Sequence, residues 1–290
     1  MNIRKFKNLF IKKSIFLIAG FNIIILFLIF FFILTNGIMF FESFPIKNFF
    51  IGKEWISLSD KYGLLPLLMG SFWVTLVALL ISIPLSLITA IYIAEYTKPK
   101  TRKKLKILMG TMSSLPSISV VLGYIGIYVL SNPIQKLFGL NTGLTAFTAG
   151  ILLAIMSIPT MANICEDSIQ KLDQSYKEAS LALGANKLET IFKIILPGAS
   201  PKIFGGIMIG FGKIIGETMT VLMVTGNAPI LNGGVFSSVR TITATIAAEM
   251  GEVVQGSTHY YSLFALALVL FTISFIINTI AGYFMQRSKK

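Results

Sequence analysis

Residues 14–34 read SIFLIAGFNIIILFLIFFFIL, a run of 21 residues without a charged side chain. About 20 such residues in a helix cross a hydrocarbon core roughly 30 Å thick. The run is longer than the roughly 7–15 residue core of a secretory signal, and no small-x-small cleavage site follows it. We therefore expect a retained membrane anchor.

The rest of the chain has the same character. Hydrophobic residues make up 54% of the 290 residues and charged residues 13%, whereas soluble domains carry about 25% charged residues. This composition predicts an all-α polytopic membrane protein with six transmembrane helices. The expected spans are 14–35, 66–94, 105–130, 143–164, 203–224 and 261–284.

The positions of the basic residues predict the orientation. Of the 25 Lys and Arg residues, 19 lie in segments on the side of the N-terminus, five lie in loops on the other side, and Lys213 lies within a span. Because cytoplasmic loops carry an excess of Lys and Arg, both termini are expected to be cytoplasmic. The net charge of +13 then faces anionic membrane lipid, which argues against a nucleic-acid partner.

The composition also excludes several kinds of site. With one cysteine, Cys165, the chain has no intrachain disulfide, and with one histidine, His259, it has no His/Cys metal cluster. The string GFGKI is similar to the end of a phosphate-binding loop, but Ile207 stands where that loop needs glycine. The longest stretches between spans, 165–202 and 225–260, are shorter than an ordinary domain. We expect no metal, no cofactor and no enzymatic activity in this chain.

The connection after the fourth expected span carries start and stop signals for two short helices. Ser175 followed by Glu178 fits a capping box, and Gly184 can take the left-handed conformation that ends a helix. Asn186 and Glu189 repeat the start signal at the second helix. The sequence therefore predicts a short helix, a sharp turn and a second, amphipathic helix that lies against the membrane.

The second helix is expected to end at Pro197, so the two helices together occupy about residues 173–197. Spacing alone leaves two interpretations of this segment. It is either a connector that rests at the membrane surface or a docking helix, since the small residues Ala179, Ser180 and Gly184 permit close approach by a partner protein.

A family resemblance decides between the two interpretations. The segment is similar to the cytoplasmic signature of ABC importer permeases, which reads E-A-A, three residues, Gly, nine residues and I-x-L-P. The matching residues are Glu178, Ala179, Ser180, Gly184, Ile194, Leu196 and Pro197, with serine in place of the second alanine. The resemblance implies the type I ABC importer permease fold. It also implies that residues 173–197, here called the coupling segment, fit a groove on a separate cytoplasmic ATPase.

Three further stretches narrow the resemblance. Residues 49–96, 113–126 and 212–227 are similar to the phosphate-importer permeases of the PstC type. The companion PstA-type subunit shares the coupling signature and the G-E-T region, so the loop around Trp55 favours the PstC type. We expect a region of anchor and first extracytoplasmic loop at 1–65, followed by a permease core at 66–290.

The same resemblance implies a set of partners in the plasma membrane of a bacterium or an archaeon. They are a second permease subunit of the PstA type, two copies of a PstB-type ATPase and an extracytoplasmic phosphate-binding protein of the PstS type. ATP and magnesium would bind in the ATPase. This chain would be the transport subunit that carries phosphate into the cytoplasm.

Two charges lie inside the fifth expected span, at Lys213 and Glu217. On a continuous helix they share a face with Gly206 and Gly210, and such small residues let helices pack closely. The pair should therefore lie inside the bundle. One interpretation is an i,i+4 ion pair that fixes helix packing. The other is a charged position on an anion path, because ionisable residues in membranes are costly and commonly functional.

The expected lining of the anion path adds hydroxyl groups to this pair. The full set is Lys213, Glu217, Thr218, Ser114 and Ser117. Thr218 could instead bond to its own helix, and the serines next to Pro116 could instead satisfy a proline kink. The similar permeases usually have arginine where Lys213 stands. Since lysine is a point charge and arginine a planar fork, a bidentate grip on phosphate is not expected here.

Two kinds of alternative function remain open from the sequence. Within the same class, the chain could be the PstA-type subunit or a permease for sulfate or molybdate. In a different class, it could be a secondary transporter or channel that uses Lys213 and Glu217 as a charge relay. The coupling signature favours the importer, because a secondary transporter has no ATPase to dock.

Overall fold

The computed structural model describes residues 3–114 and 118–287. Most of this backbone is α-helical, and three single π-helical turns interrupt the helices. The turns are π1 (Tyr92–Tyr96), π2 (Gly126–Leu130) and π3 (Ile191–Ile195). The two short strands β1 (Trp55–Ile56) and β2 (Lys61–Tyr62) form an antiparallel hairpin around a 3-10 turn at Ser57–Ser59.

The α-helices follow one another along the chain, with the longest connections at 52–64 and 225–241. Their bounds are α1 Ile3–Ser43, α2 Ile46–Ile51, α3 Leu65–Ile91, α4 Pro99–Ser114, α5 Ile118–Ile125, α6 Ser131–Phe138, α7 Ala146–Gln170, α8 Gln174–Ala182, α9 Lys187–Thr190, α10 Leu196–Gly216, α11 Met219–Val224, α12 Ile242–Glu249 and α13 Thr258–Arg287.

Six of the described helical segments are long and apolar enough to span a membrane, which confirms the predicted number. They are Lys12–Ser43, Leu65–Tyr96, Ile118–Phe138, Ala146–Gln170, Lys187–Gly216 and Thr258–Gln286. Among the described residues, the third span ends at Phe138, eight residues beyond the predicted end at 130. The fifth begins and ends earlier than the predicted 203–224.

The centre of the bundle is the interface between α3 and α7. Val74 and Ala78 of α3 pack on Ala149 and Leu153 of α7, and all four are at most 2% exposed. The lack of a side chain at Gly150 lets Val77 approach the α7 backbone. α10 packs against both α7 and α13. α7 therefore lies between α3 and α10.

α1 lies at the edge of the bundle, against α13. Phe30 and Phe32 contact Phe271 and Phe264 of α13 with ring-centroid distances of 4.8 and 5.4 Å. In the most apolar 18-residue stretch of this span, no residue is buried by the rest of the described chain. A helix with apolar side chains exposed all along its length is stable only in lipid or against another membrane protein.

A polar cluster ties the hairpin to the last two helices. The carboxylate of Glu249 accepts hydrogen bonds from Trp55 Nε1 at 3.1 Å and Arg240 at 2.6 Å, and it contacts His259 Nε2 at 2.8 Å. The ring of Tyr62 stacks on His259. We call the end of the bundle with these residues the hairpin end, and the opposite end, where α8 and α9 lie, the basic end.

Gly70 of α3 provides a stability prediction at the hairpin end. A Cβ at this position would lie 2.2 Å from the Arg240 carbonyl oxygen, which is backbone and cannot rotate away. We expect Gly70→Ala to destabilise the protein by about 1–3 kcal/mol through overpacking. Thermal unfolding in detergent measures this as a lower Tm. Gly282→Ala is the matched control, because nothing lies within 4 Å of a Cβ at Gly282 in α13; an equal Tm in the two variants would contradict the prediction.

Candidate functional site

The two predicted charges lie where the fifth span breaks. α10 ends at Gly216, Glu217 has an extended backbone with φ −71° and ψ 131°, and α11 begins at Met219. The prediction of a continuous helix through residue 224 is therefore wrong at this point. Glycine lowers the helix propensity before the break, and long-range bonds replace the lost helical ones: the Glu217 carbonyl accepts a hydrogen bond from Thr243 Oγ1 at 3.0 Å.

Lys213 reaches towards the neighbouring helices rather than to Glu217. Its Nζ donates hydrogen bonds to Thr160 Oγ1 of α7 at 3.0 Å and to the carbonyl of Ser113 at 3.4 Å. Among residues 3–114 and 118–287, no carboxylate lies within 4.0 Å of this ammonium group. The i,i+4 ion pair considered from the sequence is therefore not formed. The break in the helix removes the geometry that it needed.

Glu217 is held in place by the short helix that follows it. Its carboxylate accepts a hydrogen bond from the backbone N–H of Thr220 at 3.3 Å. Lys213 and Glu217, both half-buried, still line one narrow recess between α7 and α10, together with Ser157, and this recess is too small for a water molecule in the present conformation. We call it the Lys213 recess. It places a cation, a carboxylate and a hydroxyl-bearing residue around one small space.

The glycine face of α10 explains why Lys213 points inward. A Cβ at Gly206 would lie 2.8 Å from Ile164, and one at Gly210 would lie 2.2 Å from the side chain of Met161, both on α7. α10 thus packs closely on α7 along the face that also carries Lys213. Close packing of this kind is what small residues permit in membrane helices.

Of the other predicted path residues, the two that the structure describes, Thr218 and Ser114, do not line the recess. Thr218 donates its hydroxyl hydrogen to the Gly216 carbonyl at 3.3 Å. Ser114 is exposed and bonds back to the Gly110 carbonyl at 2.7 Å. Ser117 lies outside the described residues. Both described hydroxyls therefore bond to nearby backbone, as hydroxyl groups in helices often do.

Thr160 lies in a second proline cluster within a span, with Ser157 and Pro159, whose hydroxyl groups can either satisfy a kink or line a path. Thr160 was not in the predicted set, but it contacts Lys213. Its hydroxyl accepts the shorter of the two Lys213 hydrogen bonds. The signal was present in the sequence as the string SIPT, in which Pro159 stands between polar residues within a span. The link to Lys213 joins positions 53 residues apart, and no local pattern reports such a contact.

The coupling segment begins at the predicted residue 173, but its first helix has its N-cap two residues earlier than predicted. α8 is capped by Asp173, whose carboxylate accepts the N–H of Ser175 at 3.0 Å, so Ser175 is not the N-cap. The hydrogen bonds from Ser175 lower the pKa of Asp173, since they favour its ionised form. At the second start, Asn186 and Glu189 form the predicted capping box with bonds of 2.8 and 2.9 Å.

The turn between the two helices is as predicted, but the exit is not. Gly184 has φ +84° in the left-handed region. α9 then continues through π3 into α10 without ending at Pro197. Pro197 directly follows π3, where the regular α-helical hydrogen-bond ladder is already interrupted, so the lack of an N–H group at proline is tolerated there.

The signature residues divide into an exposed and a buried group. Glu178, Ala179 and Pro197 are exposed, whereas Ser180 is buried and its hydroxyl lies 3.0 Å from Thr190 Oγ1 of α9. The serine that replaces alanine thus joins the two helices. Around the exposed group lies a set of uncovered large side chains, here called the coupling surface: Tyr176, Leu181, Leu183, Leu188 and Phe192.

Comparison with known proteins gives relatives over most of the chain. A probable ABC transporter permease protein, YqgH, from Bacillus subtilis is 34% identical over 79% of this chain and 74% of its own length. A probable phosphate transport system permease protein PstC from Methanocaldococcus jannaschii is 32% identical over 97% of this chain and 98% of its own length.

The fold has the same kind of relatives. A bacterial alginate ABC transporter, solved in complex with an alginate-bound periplasmic protein, has a chain that matches with a TM-score of 0.59 over 97% of each chain at 18% identity. The profile of the binding-protein-dependent transport system inner membrane component family matches residues 82–290. With its six apolar spans, the protein is a multi-pass protein of the plasma membrane. The chain belongs to this family of inner membrane components, as a permease of the ABC importer type.

Proposed function

We propose that this chain is the PstC-type permease subunit of an ATP-driven importer that moves inorganic phosphate into the cytoplasm. The observation that carries the proposal is the similarity, along nearly the whole chain, to a protein named as a probable phosphate transport permease. Within the span region, Lys213 has no carboxylate of the described residues in contact with it, which is consistent with an anionic cargo.

In this proposal the basic end faces the cytoplasm and the coupling surface binds the ATPase. The excess of Lys and Arg at that end supports the orientation. Leu183 is 89% exposed and Phe192 63% exposed. Large apolar side chains exposed to water mark a protein interface, because their contact with water is unfavourable unless a partner covers them. Two copies of an ATPase subunit, which bind ATP and magnesium, would contact this chain and a second permease subunit.

The Lys213 recess supplies the electrostatics of the path. Lys213 is held by two neutral oxygens, and no carboxylate of the described residues contacts it. A phosphate ion near the ammonium group would be attracted strongly where water is scarce. Glu217 lies on the same recess and repels the anion. The balance gives weak, releasable binding, which a pathway needs if its cargo is to leave.

The hairpin end would face the phosphate-binding protein. The cluster around Glu249 holds the hairpin rigidly against α12 and α13, so a protein that docks on this end meets a preformed surface. Such preorganisation lowers the entropic cost of association. Closing of the ATPase pair at the basic end would then switch access to the Lys213 recess between the two sides.

The test is reconstitution of the complete importer in proteoliposomes. With the neighbouring permease, ATPase and binding protein present, we expect radiolabelled phosphate to accumulate only with ATP, and unlabelled sulfate or molybdate in excess to compete poorly. Uptake of sulfate or molybdate in place of phosphate would assign a different oxyanion. Accumulation without any ATPase subunit would contradict the importer and favour a secondary transporter or channel.

A further inference from the structure

The end of α3 at the basic end is held by the coupling segment. The side chain of Glu95 in π1 is only 7% exposed and forms an ion pair with Lys177 of α8. Lys187, at the start of α9, donates to the Glu95 carbonyl at 2.7 Å and lies 3.9 Å from the ring centre of Tyr96. Both helices of the coupling segment therefore contact the same turn of the same membrane span.

Other elements hold this turn as well. Arg102 of α4 donates to the Ile93 carbonyl at 3.0 Å, and Gln170 of α7 donates to the Ala94 carbonyl at 2.9 Å. The final carbonyl groups of a helix lack partners within the helix and carry partial negative charge. Cationic and amide side chains from three elements satisfy them here. A π-helical turn at such a position is a common mark of a functional site.

Apolar packing makes the junction stiff. Ala94 of π1 and Ile191 and Ile195 of π3 belong to one buried cluster, and each is at most 2% exposed. Cys165 of α7 is part of the same cluster. Closely packed interiors transmit displacement rather than absorb it. A movement of the coupling segment would therefore move the end of α3.

The other end of α3 contacts the element that holds Glu217. Ser71 accepts the backbone N–H of Ile242 at 3.2 Å, and Gly70 lies directly against the Arg240 backbone. α12, which begins at Ile242, carries Thr243, and the Thr243 hydroxyl donates to the Glu217 carbonyl. The span Leu65–Tyr96 has 32 residues, which is about 48 Å of helix. It reaches from the coupling segment to the contacts that position the recess.

We propose that α3 with π1 is the element that transmits movement of the coupling segment to the Lys213 recess, and that Glu95 and Lys177 are the positioning residues that join it to that segment. The inference rests on the proposed function for its direction, from ATPase to path. Glu95 and Lys177 act through α3 and do not touch the cargo. The ion pair between Glu95 and Lys177 is the charge-dependent contact between the two elements. Reversing one of the two charges would break this contact, and reversing both would restore it.

A charge-exchange experiment tests this inference in the complete complex. We expect Glu95→Lys and Lys177→Glu each to lower ATP-driven phosphate uptake at least about tenfold, a size typical of energetic coupling between sites. ATPase subunits should still co-purify, and ATP hydrolysis should change less than about twofold. The double variant should recover to within about threefold of the original protein, as should the conservative Lys177→Arg. Lys171→Glu, at an exposed position between α7 and α8, is the matched control and should have no effect.

A second measurement follows α3 itself and does not depend on the cargo. Phe72 lies near the hairpin end of α3 and is 52% exposed. With Cys165 replaced by alanine, we expect ATP to change the maleimide labelling rate of Phe72→Cys, and Glu95→Lys to abolish that change. If phosphate uptake is absent in the original protein but the labelling change is present, the proposed cargo fails and the inference stands. Unchanged uptake in both single variants, or no recovery in the double variant, would overturn the inference.

Discussion

Lys213→Met is expected to abolish most phosphate uptake while leaving the protein at least as stable. A hydrogen bond that involves a charged group is worth about 1.5–3 kcal/mol, and an interaction of that size between Lys213 and an anion corresponds to roughly 10- to 150-fold in affinity. Transport of radiolabelled phosphate into proteoliposomes at low phosphate concentration measures the loss. The complex should assemble normally, because the change removes no ion pair formed by the described residues.

The stability half of this prediction separates a transport role from a packing role. A charged lysine in the centre of a membrane helix costs about 2.5–3.5 kcal/mol by insertion measurements. Lys213 recovers part of that cost through its bonds to Thr160 and Ser113. Methionine has a similar length and no charge, so Tm in detergent should stay the same or rise. A fall in Tm that parallels the fall in uptake would instead show that Lys213 holds the helices together.

Two variants control the comparison. Lys213→Arg keeps the charge and should keep at least about half of the uptake, since the attraction depends on charge more than on hydrogen-bond geometry. Lys202→Met removes one positive charge from the same helix, α10, at its basic end and should transport normally. Equal loss in Lys202→Met would attribute the effect to total charge. A full loss in Lys213→Arg would show that the shape of the ammonium group matters.

The sequence was sufficient for features that depend on local chemistry. The number of spans follows from apolar runs, and the capping box at Asn186 and Glu189 is complete within four residues. The start of α8 shows the limit of such signals. Asp173 and Ser175 are both good N-cap residues two positions apart, and the structure selects Asp173 because its carboxylate can reach the N–H of Ser175.

The break at Glu217 could not be predicted in the same way. A continuous helix is the expectation for an apolar stretch, because broken backbone in a membrane leaves polar groups without partners. Here the partner of the Glu217 carbonyl is Thr243, 26 residues away in α12. The contact from Lys213 to Thr160 spans 53 residues. Both depend on how α7, α10 and α12 pack, so the sequence alone could not give this arrangement.

Gly184→Trp is expected to release the ATPase from the complex and to abolish ATP-driven uptake. Gly184 lies in the turn between α8 and α9, beside Leu183 of the coupling surface. Nothing in the described residues lies within 4 Å of a Cβ at this position. A side chain at this position therefore starts in open space, and we expect its bulk to clash with a docked partner rather than with this chain. Co-purification of the ATPase with a tagged chain in mild detergent measures the loss.

Backbone strain is a competing cause, because the φ of +84° at Gly184 is unfavourable for any side chain with a Cβ. Two further variants separate strain from bulk. Asparagine tolerates the left-handed region, so Gly184→Asn adds a small side chain with little strain, and Gly184→Ala adds about 1 kcal/mol of strain with almost no bulk. We expect both to retain the ATPase and at least about half of the uptake. If Gly184→Ala released the ATPase as fully as Gly184→Trp, the conformation of the turn, rather than a surface covered by the partner, would be what the glycine provides.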